Sequence, residues 1–113
     1  MQRREAFRRW LQSEKIKKTG KPIPEKTIIS YTRGVHKLSD VMYETGIISK
    51  RLYSMNTPGE VEQAINRIKR EHMYINMNEE SENKLHKALN YYLKFMNEFN
   101  AAEIDALEIE DRK

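Results

Sequence analysis

The fold of this chain is decided by residues 24–44, which read PEKTIISYTRGVHKLSDVMYE. Apolar side chains recur here every three or four residues, the period of an α-helix that is buried on one side. They are Ile28, Tyr31, Val35, Leu38 and Met42, and at about 100° per residue they fall within a strip about 80° wide. Pro24 suits the first turn of a helix, and Gly46 suits the residue that follows a helix end. We therefore predict one long helix over residues 24–44.

Three further helical patterns surround this long helix. Apolar spacing predicts a first helix over residues 3–14, and a capping box at residues 57–60 begins a third helix that ends near residue 71. A final pattern predicts a last helix over residues 79–100, and we expect a loop at residues 72–78. No strand pattern competes, so we predict an all-α, compact four- to five-helix domain. We expect its core to include Trp10, Tyr31, Val35, Leu38, Leu89 and Tyr92.

Length and composition fit one domain from a reducing compartment. The chain has 113 residues, no cysteine and a hydrophobic content of 38%. The lack of cysteine excludes disulfides and thiolate metal sites, and no apolar run approaches the roughly 18 residues that cross a membrane. The N-terminus lacks the apolar segment of a secretory signal. We expect a cytoplasmic chain with no membrane partner, with a helical domain at residues 1–100 and an acidic linker, or the start of a connecting helix, at residues 101–113.

Catalytic chemistry has little support in the sequence. The three histidines, His36, His72 and His86, show no paired spacing of metal ligands. There is no glycine-rich phosphate loop and no nucleophile motif. We therefore expect no catalytic residue, no metal site and no cofactor, and we do not expect this chain to be an enzyme by itself.

Positive charge is concentrated in the first third of the chain. Residues 1–37 contain eleven lysines and arginines and three acidic residues, a net charge of +8, whereas residues 72–113 have a net charge of −4. Four residues of the long helix, Lys26, Ser30, Arg33 and Lys37, form a narrow ridge about 150° from the apolar strip. A helix that contacts phosphates or enters a groove of DNA needs such a face. The alternative is an ordinary solvated face, although such faces usually include glutamates.

A second polar stripe is predicted on the last helix, where Asn83, Lys87, Asn90, Lys94 and Asn97 align opposite the apolar side. Asparagine and lysine can contact phosphates or base edges, while the alternative is a bias of composition. The connector before the long helix adds Lys18 and Lys21, as a backbone clamp or as part of a solvated loop. Gly34 in the long helix allows the close approach of another helix or of a duplex, and the sequence leaves both open.

The order of the core residues resembles a known family. The long helix carries Thr27, Tyr31, Val35, Leu38 and Ser39, the pair Leu52-Tyr53 follows, and the last helix carries Ala88, Leu89, Tyr92 and Phe95. This pattern resembles the SAM-like core-binding domain of tyrosine recombinases (phage integrases). It is closer still to the related domain that precedes the nuclease domain of some restriction-type and HNH endonucleases.

The resemblance implies a DNA-contacting module whose catalytic domain lies elsewhere, C-terminal to this chain. We therefore expect a domain that binds double-stranded DNA through the basic ridge and the polar stripe. The alternative is a helical adaptor or phage-type regulator that keeps the fold without DNA binding and docks an acidic protein partner.

Overall fold

The described part of the chain, residues 2–14 and 19–99 of a computed structural model, is all-α, as predicted. It contains no β-strand in these ranges. The helices are α1 (Gln2–Ser13), α2 (Glu25–Glu44), α3 (Pro58–Ile68), α4 (His72–Glu80) and α5 (Lys84–Glu98), with a 3₁₀ turn at Leu52–Ser54. The predicted segment at residues 101–113 lies outside the described residues.

The core forms around α2 as its apolar spacing predicts. All five apolar residues of the strip are buried, and so are Trp10, Leu89 and Tyr92. The aromatic residues pack edge to face, with the ring centres of Phe7 and Tyr92 5.0 Å apart and those of Tyr53 and Tyr92 5.2 Å apart. The expected single core is therefore confirmed.

The link between α2 and α3 is held by polar groups within this core. Gly46 ends α2 with a φ of 79°, as predicted for the residue after a helix. The hydroxyl of Tyr92 donates to the carbonyl of Leu52 at 3.1 Å, and that of Tyr53 donates to the carbonyl of Thr32, also at 3.1 Å. Burial raises the pKa of both phenols, so that they remain protonated donors.

α2 and α5 run antiparallel and in close contact. Tyr31 of α2 lies against Tyr91 of α5, with ring centres 5.6 Å apart. A Cβ at Gly34, one turn further along α2, would lie only 3.1 Å from Cδ2 of Leu85, which is nearer the start of α5. Gly34 thus permits the close approach of α5. Of the two neighbours that the sequence left open, a helix or a duplex, the structure has the helix.

The predictions of a loop at residues 72–78 and of a continuous helix at residues 79–100 are wrong. Residues 72–80 form α4, which buries Tyr74 and half-buries Met77, and α5 begins only at Lys84. α3 also ends at Ile68, three residues earlier than predicted.

The break between α4 and α5 has a local cause. Glu82 and Asn83 both have positive φ angles, 56° and 68°, which turn the chain out of a helix. Side chains before the break then accept from the first amides of α5, with Asn78 Oδ1 bound to the His86 N–H at 3.0 Å and Ser81 Oγ to that of Leu85 at 3.3 Å. We call the turn from Asn78 to Lys84 the α4–α5 corner.

Candidate nucleic-acid interface

The basic ridge of α2 is present on the outside of the helix. α2 is regular from Glu25 to Glu44, so Lys26, Ser30, Arg33 and Lys37 align opposite its buried strip. The three cationic side chains are exposed and Ser30 is half-buried. Within residues 2–14 and 19–99, no side chain forms a hydrogen bond or an ion pair with any of the four. The ridge therefore carries three positive charges along about 16 Å of helix, and no side chain of the described residues pairs with them.

The ridge ends before the end of α2. Glu44 follows Lys26 by about five full turns and shares its angle around the helix axis. The exposed Glu44 carboxylate thus places a negative charge beyond Lys37, and the cationic surface is confined to the first two-thirds of the helix.

The polar stripe of α5, like the ridge of α2, lies on the side of its helix that points away from the core. The two helices are antiparallel and turn their apolar strips to one core, so their opposite sides both point away from it. Lys87, Asn90 and Lys94 are exposed along α5. Asn83 does not belong to that helix, because it precedes the first residue in a left-handed conformation.

Unlike the ridge, the stripe forms contacts within the protein. The ammonium nitrogen of Lys94 lies 3.1 Å from Oε2 of Glu14 and 5.8 Å from the centre of the Trp10 ring. Its hydrogen bond to the Glu14 carboxylate raises the pKa of the Lys94 ammonium group. The Asn90 amide lies 3.3 Å from Nε2 of His86, and its oxygen lies 3.5 Å from the ammonium nitrogen of Lys69.

Asn83 and Lys87, two further members of the stripe, differ in their contacts within the protein. Asn83 accepts a hydrogen bond from the Asn78 side chain at 3.1 Å, so it helps to hold the α4–α5 corner. Lys87 has no side-chain partner among the residues that the structure describes. Lys87 is therefore the stripe residue that most resembles those of the ridge.

A shallow groove of about 260 Å³ separates the ridge from the α4–α5 corner. We call it the corner groove. Its lining comes from α2, α4 and the start of α5 and consists of Ser30, Gly34, Lys37, Met77, Glu80, Ser81, Lys84, Leu85 and Ala88. Lys84 and Glu80 have no signal in the sequence that points to this groove, because their position depends on the turn between α4 and α5.

The connector contributes one described cation. Lys21 is exposed just before the start of α2, and its backbone N–H donates to Thr19 Oγ1 at 3.3 Å. Lys18 lies outside the described residues.

Other polar clusters in the described ranges have structural roles. Asp40 accepts from Nε of Arg51 at 2.7 Å and lies 3.4 Å from Nε2 of His36, while the Arg51 guanidinium lies 4.4 Å from the centre of the Tyr43 ring. These contacts fix the link on α2. No group of three metal-ligating side chains occurs among the described residues.

The described helices are also too short or too polar to cross a membrane. Comparisons of the chain with known protein families, with curated proteins and with solved structures find no match. The function must therefore be inferred from the chemistry of the exposed ridge and stripe.

Proposed function

We propose that this chain is a DNA-binding module that contacts duplex DNA through the ridge of α2, while catalysis resides in another domain. The observation that carries the proposal is the set of three exposed cations, Lys26, Arg33 and Lys37, whose side chains have no partner among the described residues. Duplex DNA carries one negative charge per about 1.7 Å of its axis, so a cationic surface about 16 Å long can neutralise several phosphates.

The other predicted contacts extend this surface to different degrees. Lys87 adds an exposed charge that has no side-chain partner among the described residues, and Lys21 lies four residues before the start of α2. Lys94 reaches a phosphate only by giving up Glu14. In this proposal the ridge is the principal contact and the α5 stripe is an auxiliary one.

Several residues that carry the family resemblance lie in the core that holds α2 and α5 together. Tyr31, Val35, Leu89 and Tyr92 are all buried, so they determine how these two helices pack. The relationship to recombinase and endonuclease domains is part of the proposal, and so is an additional catalytic domain.

The second candidate is a protein-binding adaptor. One observation favours it: Met73 and Ile75 of α4 are 41% and 40% exposed, which leaves apolar surface on a helix that packs mainly against α5. In that case the ridge would contact an acidic region of the partner protein.

Fluorescence anisotropy with a labelled 20-base-pair duplex separates the two candidates. We expect the parent protein to bind at 50 mM salt and to weaken steeply at 200 mM, because binding releases counterions from the DNA. Arg33→Ala should weaken binding and lower the slope of log affinity against log salt by about 0.9. Arg67→Ala is the matched control, since Arg67 is an exposed helical arginine that lines a different groove.

Two results contradict the DNA proposal. One is a folded parent protein that does not bind duplex at 50 mM salt. The other is equal binding by the Arg33→Ala and Arg67→Ala variants, which would remove the ridge from the interface.

A further inference from the structure

The corner groove brings two cations from different helices to the two sides of one channel. Lys37 lines it from α2 and Lys84 lines it from the start of α5. Ser30, also in the lining, has a hydroxyl without a partner among the described residues. Two ammonium groups and a free hydroxyl are donors that suit the oxygens of a phosphodiester.

The elements packed beside α2 do not allow it to contact base edges in the major groove of DNA. The major groove of B-DNA is about 12 Å wide and admits a single helix of about 10–12 Å diameter. α5 packs closely beside α2 at Gly34, and the α4–α5 corner lies next to Ser30 and Lys37. Two helices with axes about 8–10 Å apart form a block about 20 Å wide, which does not enter the groove to the depth of the base edges. The backbone at the surface of the duplex remains within reach.

From this arrangement we infer that one phosphodiester strand of the duplex lies in the corner groove between Lys37 and Lys84, and that the module binds DNA irrespective of base sequence. The inference rests on the proposed function and specifies its mode. It assigns a contact to Lys84, a residue that the periodicity of the sequence did not single out. Phosphate contacts fix the position of a protein on DNA but carry no direct sequence information.

Glu80 supplies the sharpest test, because it is the acidic residue in the described lining of the groove. Its carboxylate repels a phosphate seated there, so Glu80→Gln should strengthen binding. We expect about a threefold gain, the size for two unit charges about 6 Å apart in a water-like dielectric. Glu79→Gln is the matched control: Glu79 is the preceding residue of α4, is exposed, and does not line the groove. Both variants change the net charge equally.

The experiment measures duplex affinity by anisotropy at several salt concentrations for the full chain and four variants. Lys84→Gln should lower the salt slope by about 0.9, as expected for one lost phosphate contact. Lys50→Gln removes the same charge from an exposed side chain in a different groove and should change the slope little. Two duplexes of unrelated sequence should bind the parent protein within about threefold of each other. Circular dichroism melting verifies that every variant is folded.

The outcomes distinguish the inference from the proposed function. If the parent protein binds duplex but Glu80→Gln matches Glu79→Gln, or Lys84→Gln matches Lys50→Gln, the strand does not lie in this groove. A preference of more than tenfold for one duplex overturns the backbone-only mode. In each of these cases duplex binding itself still stands. Failure of the folded parent to bind either duplex removes the proposed function and the inference with it.

Discussion

The ridge of α2 and the stripe of α5 are built from similar residues on helix sides that point away from the core, yet their side chains differ in their contacts within the protein. Lys26, Arg33 and Lys37 of the ridge have no partner among the described residues. In the stripe, Lys94 pairs with Glu14 and Asn90 contacts His86. Residue type alone therefore does not determine which charges are available to a partner.

The cause of the difference is the packing around each helix. The C-terminal half of α5 lies against α1, where the indole N–H of Trp10 donates to Oε2 of Glu98 at 2.6 Å. That neighbour brings Glu14 to Lys94. Beside the ridge lies the corner groove, whose lining contains Lys84 as well as Glu80. The positive charges of the ridge therefore repel one another, and a bound anion would reduce that repulsion.

The largest effect should come from removing the packing that both surfaces share. Leu89 of α5 is fully buried. Leu89→Ala should lower the free energy of unfolding by about 2–5 kcal/mol, because it loses buried apolar surface and leaves a cavity. Urea denaturation measures the change, with the exposed α5 variant Asn97→Ala as the control. Equal stability of the two variants would mean that α5 does not pack through Leu89.

The next largest effect separates the ridge from the stripe by charge removal. The triple variant Lys26→Gln, Arg33→Gln, Lys37→Gln should lower the salt slope of duplex binding by about 2.7, since each phosphate contact contributes about 0.9. Lys94→Gln should lower it by much less, because Lys94 is paired with Glu14. Anisotropy titrations at four salt concentrations give both slopes. A slope change for Lys94→Gln that exceeds one third of the change in the triple variant would contradict the expected difference between ridge and stripe.

A third experiment converts a stripe residue into a ridge-like one. Glu14→Gln removes the carboxylate from Lys94 and frees its ammonium group for a phosphate. We expect duplex affinity to rise and the salt slope to increase by up to about 0.9. Glu62→Gln, at an exposed position of α3, changes the net charge equally and should have a smaller effect. If the two variants bind alike, the gain is due to net charge and the pairing of Lys94 is irrelevant to binding.

The ridge could be predicted because it depends on one regular helix. α2 has 20 residues and one clear apolar period, so the angle of each residue follows from its number. The basic residues opposite the strip were therefore placed correctly from local sequence.

The corner groove and the pairing of the stripe could not be predicted in this way. α4 has only nine residues, with Tyr74 as its single buried side chain, so its apolar pattern is too short to stand out. The break before α5 includes a positive φ at Glu82, a residue type with no preference for turns, and Asn78 caps an amide eight residues later. The ion pair of Lys94 with Glu14 joins residues that are 80 positions apart. Only the packed fold brings such groups together.

The smallest expected effect concerns the asparagines of the stripe and tests whether they read bases. Asn90 is exposed in the middle of α5, and its contacts to His86 and Lys69 are long and open to water. Alanine is a better helix former by about 0.6 kcal/mol, so Asn90→Ala should raise the free energy of unfolding by up to about 0.5 kcal/mol and leave duplex affinity unchanged. Asn66→Ala, at an exposed position of α3, is the matched control and should behave alike in both assays. A bidentate contact to adenine contributes about 1–3 kcal/mol of discrimination. A loss of that size for Asn90→Ala on an adenine-rich duplex, without a loss for Asn66→Ala, would show that the stripe reads sequence and that the ridge is not the principal contact.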